Sequence, residues 1–115
     1  MAGTLEVTDD LCWMPAGWVF DAVLARIAQV LHPQDPALAA WLLAARTEAN
    51  GGYLDLRDLE GARWTRLCHA AECAYAQLLR DVESPRGGAA SVEGLRAQFD
   101  HLRTMLQAAR TIPVG

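Results

Sequence analysis

Ala16 to Leu31 reads AGWVFDAVLARIAQVL, and the spacing of its apolar residues decides the fold class. Phe20, Val23, Leu24, Ile27, Val30 and Leu31 recur at three- and four-residue intervals, which places them on one stripe of a helix. His32-Pro33 ends the run, because a residue before proline is pushed out of the helical region. A helix over 16–31 with a single apolar stripe must bury that stripe against other elements.

Working outward, three more stretches carry the same period. Asp35 reads as an N-cap, with Pro36 at the first helical position, where a missing amide donor costs nothing. Leu38, Trp41, Leu42, Ala45 and Ala49 form the stripe of a helix over 36–49, stopped by Asn50-Gly51-Gly52. Asp58 reads as the cap of a helix over 58–82, whose inward positions are Leu59, Trp64, Leu67, Ala71, Ala74, Tyr75, Leu78 and Val82. Ser84-Pro85-Arg86-Gly87-Gly88 is a loop. After it Ser91 reads as the cap of a helix over 91–110, with Val92, Leu95, Phe99, Leu102, Leu106 and Ala109 on its stripe and Ile112-Pro113 as its stop. Two stretches have a different period. Residues 1–15 alternate at Leu5 and Val7, offer Thr8-Asp9-Asp10 as the cap of a short helical turn, and read as an N-terminal extension. Tyr53-Leu54-Asp55-Leu56-Arg57 alternates like a strand, but with no convincing second strand it reads as an extended lead-in. The expected fold is all-α: one domain over 1–115, a four-helix bundle running up-down-up-down or, as the alternative, an irregular orthogonal array.

Composition bounds the function. The 115 residues are 52% hydrophobic and 21% charged, which argues against disorder and suits one domain with one core. No apolar run approaches a membrane-spanning length, and the first ten residues carry three acids and no base, unlike a secretory or organellar leader. A net charge of −4 argues against nucleic acid as the ligand. All ten basic residues are arginine, so every cation is a planar, multi-donor group suited to carboxylates. Cys12, Cys68 and Cys73 are an odd number without framework spacing, which points to a reducing compartment and a cytoplasmic protein.

Sets of residues able to carry chemistry are sparse. Cys68, His69, Glu72 and Cys73 are the one local cluster of metal-ligand types, but the helical phase sends Cys68 and His69 different ways. The expectation is packing cysteines beside a solvated histidine, with no metal and no cofactor. Gly51-Gly52 and Gly87-Gly88 lack the lysine and the strand-to-helix setting of a phosphate loop. Asp55 and Asp58 stand where helix caps are needed, as do Asp9 and Asp10. No catalytic set emerges. Arg96, Arg103 and Arg110 recur every seven residues beside the last apolar stripe; they read either as a basic ridge for a partner or as stems covering the bundle edge, with Asp100 paired to Arg96 and Arg103. Trp18 lies almost opposite Phe20 and Ile27 in helical phase. Either the N-terminal segment covers it, beside Trp13, or it is an exposed anchor of the type enriched in binding hot spots.

The stretch Gly52 to Leu59, with a following helix that carries Ala74-Tyr75, resembles segments of small helical immunity proteins of bacterial toxin–immunity systems. The likeness spans about a quarter of the chain and carries over no functional residue. It implies a compact, acidic, cytoplasmic protein that binds a toxin domain without catalysis. The expected function is therefore protein binding, to a basic toxin domain, by a monomer or homodimer. Trp18, Tyr53, Asp55 and Asp58 are the leading contacts, followed by Arg96, Arg103 and Arg110. The alternatives are a small helical enzyme or metal-dependent sensor built on Cys68, His69 and Cys73, and a homodimeric structural bundle.

Overall fold

The computed structural model describes residues 3–45, 52–59, 61–82 and 89–111. Four helices dominate it: α1 (Gly17–Leu31), α2 (Pro36–Ala44), α3 (Gly61–Val82) and α4 (Ala89–Thr111). They are accompanied by three short strands, β1 (Thr4–Glu6), β2 (Cys12–Trp13) and β3 (Tyr53–Asp55), and a 3-10 helix over Leu56–Asp58. The protein is mostly helical, as the periodicity requires, but it is not all-α.

The helical cores follow the apolar stripes. On α1, Phe20, Val23, Leu24, Ile27 and Leu31 are buried; Leu67, Ala71, Ala74 and Leu78 of α3 and Phe99, Leu102 and Leu106 of α4 join them. α1 is the hub, packed against α2 and α3 and to a smaller extent against α4, while α4 also lies along α3. Asp35 does what its position before a proline implies. Its carboxylate accepts from the Leu38 amide at 3.1 Å, and its second oxygen meets Arg66 at 2.9 Å, tying the start of α2 to α3. The chain is described as helical to Ala44 with a turn at Ala45, so Ala49 and Asn50-Gly51 lie outside the described residues. So does the loop over 84–88.

The departures from expectation lie in the two stretches of different period. The N-terminal segment is not an extension but a hairpin. β1 pairs antiparallel with β2, Leu5 opposite Trp13 and Glu6 opposite Cys12. Thr8-Asp9-Asp10 forms its turn rather than a helical cap: the Thr8 hydroxyl accepts from the Asp10 and Leu11 amides at 3.3 and 3.1 Å. β1 then offers its other edge to β3, in parallel, with Thr4, Leu5 and Glu6 opposite Tyr53, Leu54 and Asp55. The expected lead-in is thus the third strand of a sheet ordered β2-β1-β3. A parallel partner about fifty residues away leaves no local mark in the sequence, which is why the alternation looked unpartnered. Gly52, at φ 73°, makes the bend into β3, and its carbonyl accepts from the Thr4 amide at 2.6 Å.

Two caps also move. Asp55, not Asp58, caps a helix here, accepting from the Arg57 amide at 2.9 Å at the start of the 3-10 turn; Asp58 is the last residue of that turn. α4 begins at Ala89, so Ser91 lies inside it rather than ahead of it. Trp13 is wholly buried, its ring stacked on Phe20 at 6.4 Å and its indole N–H donating to the Gln98 carbonyl of α4 at 3.0 Å. That bond anchors the hairpin to the helical layer.

Candidate protein-binding face

Strand periodicity sorts the sheet into two faces. Leu5, Trp13 and Leu54 point into the core, whereas Thr4, Glu6, Cys12, Tyr53 and Asp55 occupy the other face. The β1–β3 register puts Glu6 directly beside Asp55, and like charges so placed repel. Arg57 resolves the repulsion. Its guanidinium reaches Glu6 at 2.7 Å, Asp9 in the hairpin turn at 2.8 Å and Asp55 at 2.9 Å. A buried Glu6 oxygen, Oε2, has this ion pair without an in-line hydrogen bond.

The electrostatic consequences follow from these contacts. The Arg57 hydrogen bond holds the Asp55 carboxyl below the usual aspartate range. Asp55 and Asp9 in turn raise Arg57 far above the pH range in which it could lose its charge. Partial desolvation and a hydrogen bond to Glu6 push the Tyr53 hydroxyl up, while its ring remains 46% exposed. Three carboxylates around one guanidinium leave this cluster with an excess of two negative charges. Next to it an open groove of about 710 Å³ runs between the hairpin turn, the 3-10 helix and the start of α3. Val7, Leu56, Leu59, Trp64 and Ala109 give the groove its apolar lining, and Asp9 and Arg57 belong to both the groove and the acidic cluster.

The structure therefore brings together two of the residues expected to bind, Tyr53 and Asp55. It adds Glu6, Asp9 and Arg57, which the sequence did not offer as contacts. The side chains of Asp58 and Arg110 lie outside the described residues. Trp18 is carried on the first turn of α1 and is 54% exposed, with Met14 more exposed still at 68%. Of the two readings of Trp18 the structure shows the exposed one, while Trp13 turns inward onto Phe20.

The arginine row divides. Arg103 pairs with Asp100 at 2.7 Å and Glu72 of α3 at 3.2 Å, and its guanidinium lies 4.7 Å from the Tyr75 ring centre. The Asp100 contact above all raises its pKa, so it is a fixed cation that clamps α3 to α4. Arg96 is exposed, beside a shallow cleft with Tyr75, Glu93, Ala97 and Asp100. The cysteine cluster also divides. Cys68 is buried, while His69 is exposed and its Nε2 stands 3.6 Å from the Cys73 sulfur. Cys68 thus stands apart, and His69 and Cys73 lie side by side as their i, i+4 spacing allows.

No protein family, curated protein or solved structure matches the chain. Among the described residues, no helix is long and apolar enough to cross a membrane.

Proposed function

We propose that this chain is a non-catalytic protein-binding domain that docks a basic partner on the outer face of its sheet. The observation that supports it is the shared rim: Asp9 and Arg57 border an apolar groove and at the same time belong to a carboxylate cluster with excess negative charge. An apolar centre beside a polar, charged margin is the anatomy of a protein interface. Arg57 holds the carboxylates in place before any partner arrives, which lowers the ordering cost of association. The excess charge steers a positively charged surface toward the face and speeds encounter at low salt. In keeping with the resemblance of Gly52 to Leu59 to immunity proteins, the biological reading is neutralisation of a basic toxin domain in the cytoplasm. Trp18, exposed on α1, is a second anchor for the same class of partner.

The test is affinity capture from the source cells, followed by kinetics with the recovered partner. Tyr53→Ala and Asp9→Asn alter exposed side chains of the face, and Trp18→Ala alters the second anchor. The expected result is unchanged helicity, weaker binding for Tyr53→Ala, and slower association for Asp9→Asn with a smaller salt dependence. Unchanged affinity in Tyr53→Ala and Asp9→Asn would reject the sheet face.

A further inference from the structure

On α3, His69 and Cys73 are one helical turn apart, and their Nε2 and Sγ atoms share a hydrogen bond at 3.6 Å. His69 is exposed and Cys73 half-buried, so the pair opens to solvent. Zinc binds an imidazole nitrogen at about 2.0–2.1 Å and a thiolate sulfur at about 2.3 Å; tetrahedral angles between such bonds separate the two donor atoms by about 3.6 Å. The pair therefore already has the span of a tetrahedral chelate, and the helix that carries it is continuous from Gly61 to Val82.

We propose that His69 and Cys73 form a surface site for a zinc-class divalent cation, distinct from the sheet face. Thiolate and imidazole donors select zinc and its neighbours over magnesium and calcium, which require oxygen. On binding, Cys73 releases its thiol proton to solvent, Sγ and Nε2 each donate a lone pair, and nothing is oxidised or reduced. Neither flanking residue supplies a third ligand. Glu72 is engaged by Arg103 at 3.2 Å and Gln107 at 2.7 Å, and Cys68 is buried. Among the described residues no three His, Cys, Asp or Glu side chains gather, so the remaining coordination positions go to water. Such a site exchanges its metal readily and is not what holds the fold together.

Cobalt, as the coloured stand-in for zinc, tests this in the purified full chain kept reduced with a phosphine. The expected result is a near-ultraviolet thiolate-to-cobalt band that saturates at one ion per chain and is displaced by zinc. The band should vanish in Cys73→Ser, need about tenfold or more cobalt to reach half-saturation in His69→Ala, and persist in Cys12→Ser. His69→Ala changes an exposed side chain and keeps the test valid if Cys73→Ser disturbs folding. Absence of the band in the wild-type chain, or full retention of affinity in His69→Ala, would overturn the assignment.

Discussion

Arg57 does more to arrange its neighbours' charges than to stabilise the fold. It is 43% exposed, and water and salt screen exposed ion pairs, so its three partners add little to stability. What it does is hold Glu6, Asp9 and Asp55 in a fixed array across three parts of the chain. Gly3 has the opposite role. It is buried, its amide donates to the Pro15 carbonyl at 3.0 Å, and a Cβ at this position would overlap the Phe20 ring. Because Phe20 is fully buried and stacked on Trp13, the ring has no free space to move into. Gly3→Ala is therefore expected to destabilise the protein by about 1–3 kcal/mol, the range for overpacking a core. Chemical denaturation measures this, and an unchanged midpoint would show that the hairpin is not seated on α1 as described.

At the scale of elements, α4 depends on Phe99. The residue is fully buried and meets Tyr75 edge-on at 5.5 Å, between Leu95 and Leu102 on the same stripe. Phe99→Ala should cost about 3–5 kcal/mol, because the cavity adds to the lost transfer energy. A loss below about 1 kcal/mol in urea unfolding would mean that α4 presents another side to the core. The phases of α1, α3 and α4 were legible in the sequence, since each stripe has the 3.6-residue period and three- or four-residue gaps. The strands were not. β2 has two residues and β1 and β3 three each, too short for alternation to stand out from chance. Asp55 and Arg57 were visible as neighbours, but Glu6 and Asp9 reach them only through the parallel β1–β3 pairing.

Across the whole molecule, the radius of gyration is 13.6 Å, close to the roughly 13 Å expected of a folded domain of this length. Its stability should depend on acid chiefly through the buried Asp35, with a smaller part from Asp55. The backbone bond from Leu38 foremost, then Arg66 and Arg63, lower the Asp35 carboxyl, and Arg57 lowers that of Asp55. A carboxyl depressed in the folded state stabilises the protein fully above its unfolded pKa, and that contribution disappears as pH falls through the folded value. Stability should therefore be level near neutrality and begin to fall below about pH 4. Asp35→Asn keeps a cap acceptor but removes the charge that faces Arg66, and should flatten part of this dependence. Urea midpoints measured against pH check it; a midpoint that holds constant through the acid range would contradict the assigned ion pairs.

The sequence by itself determined the helices, their buried sides, the Asp35-Pro36 start of α2 and the acidic balance of the chain, all of which arise from contacts between near neighbours or from composition. Only the tertiary structure decided that residues 4–6, 12–13 and 53–55 form one sheet, that Trp13 rather than Trp18 is buried, and that three carboxylates share Arg57. The reason is range. A helix closes its hydrogen bonds within four residues and so leaves a periodic record in the chain, whereas a parallel strand pair is closed by partners about fifty residues apart and leaves none.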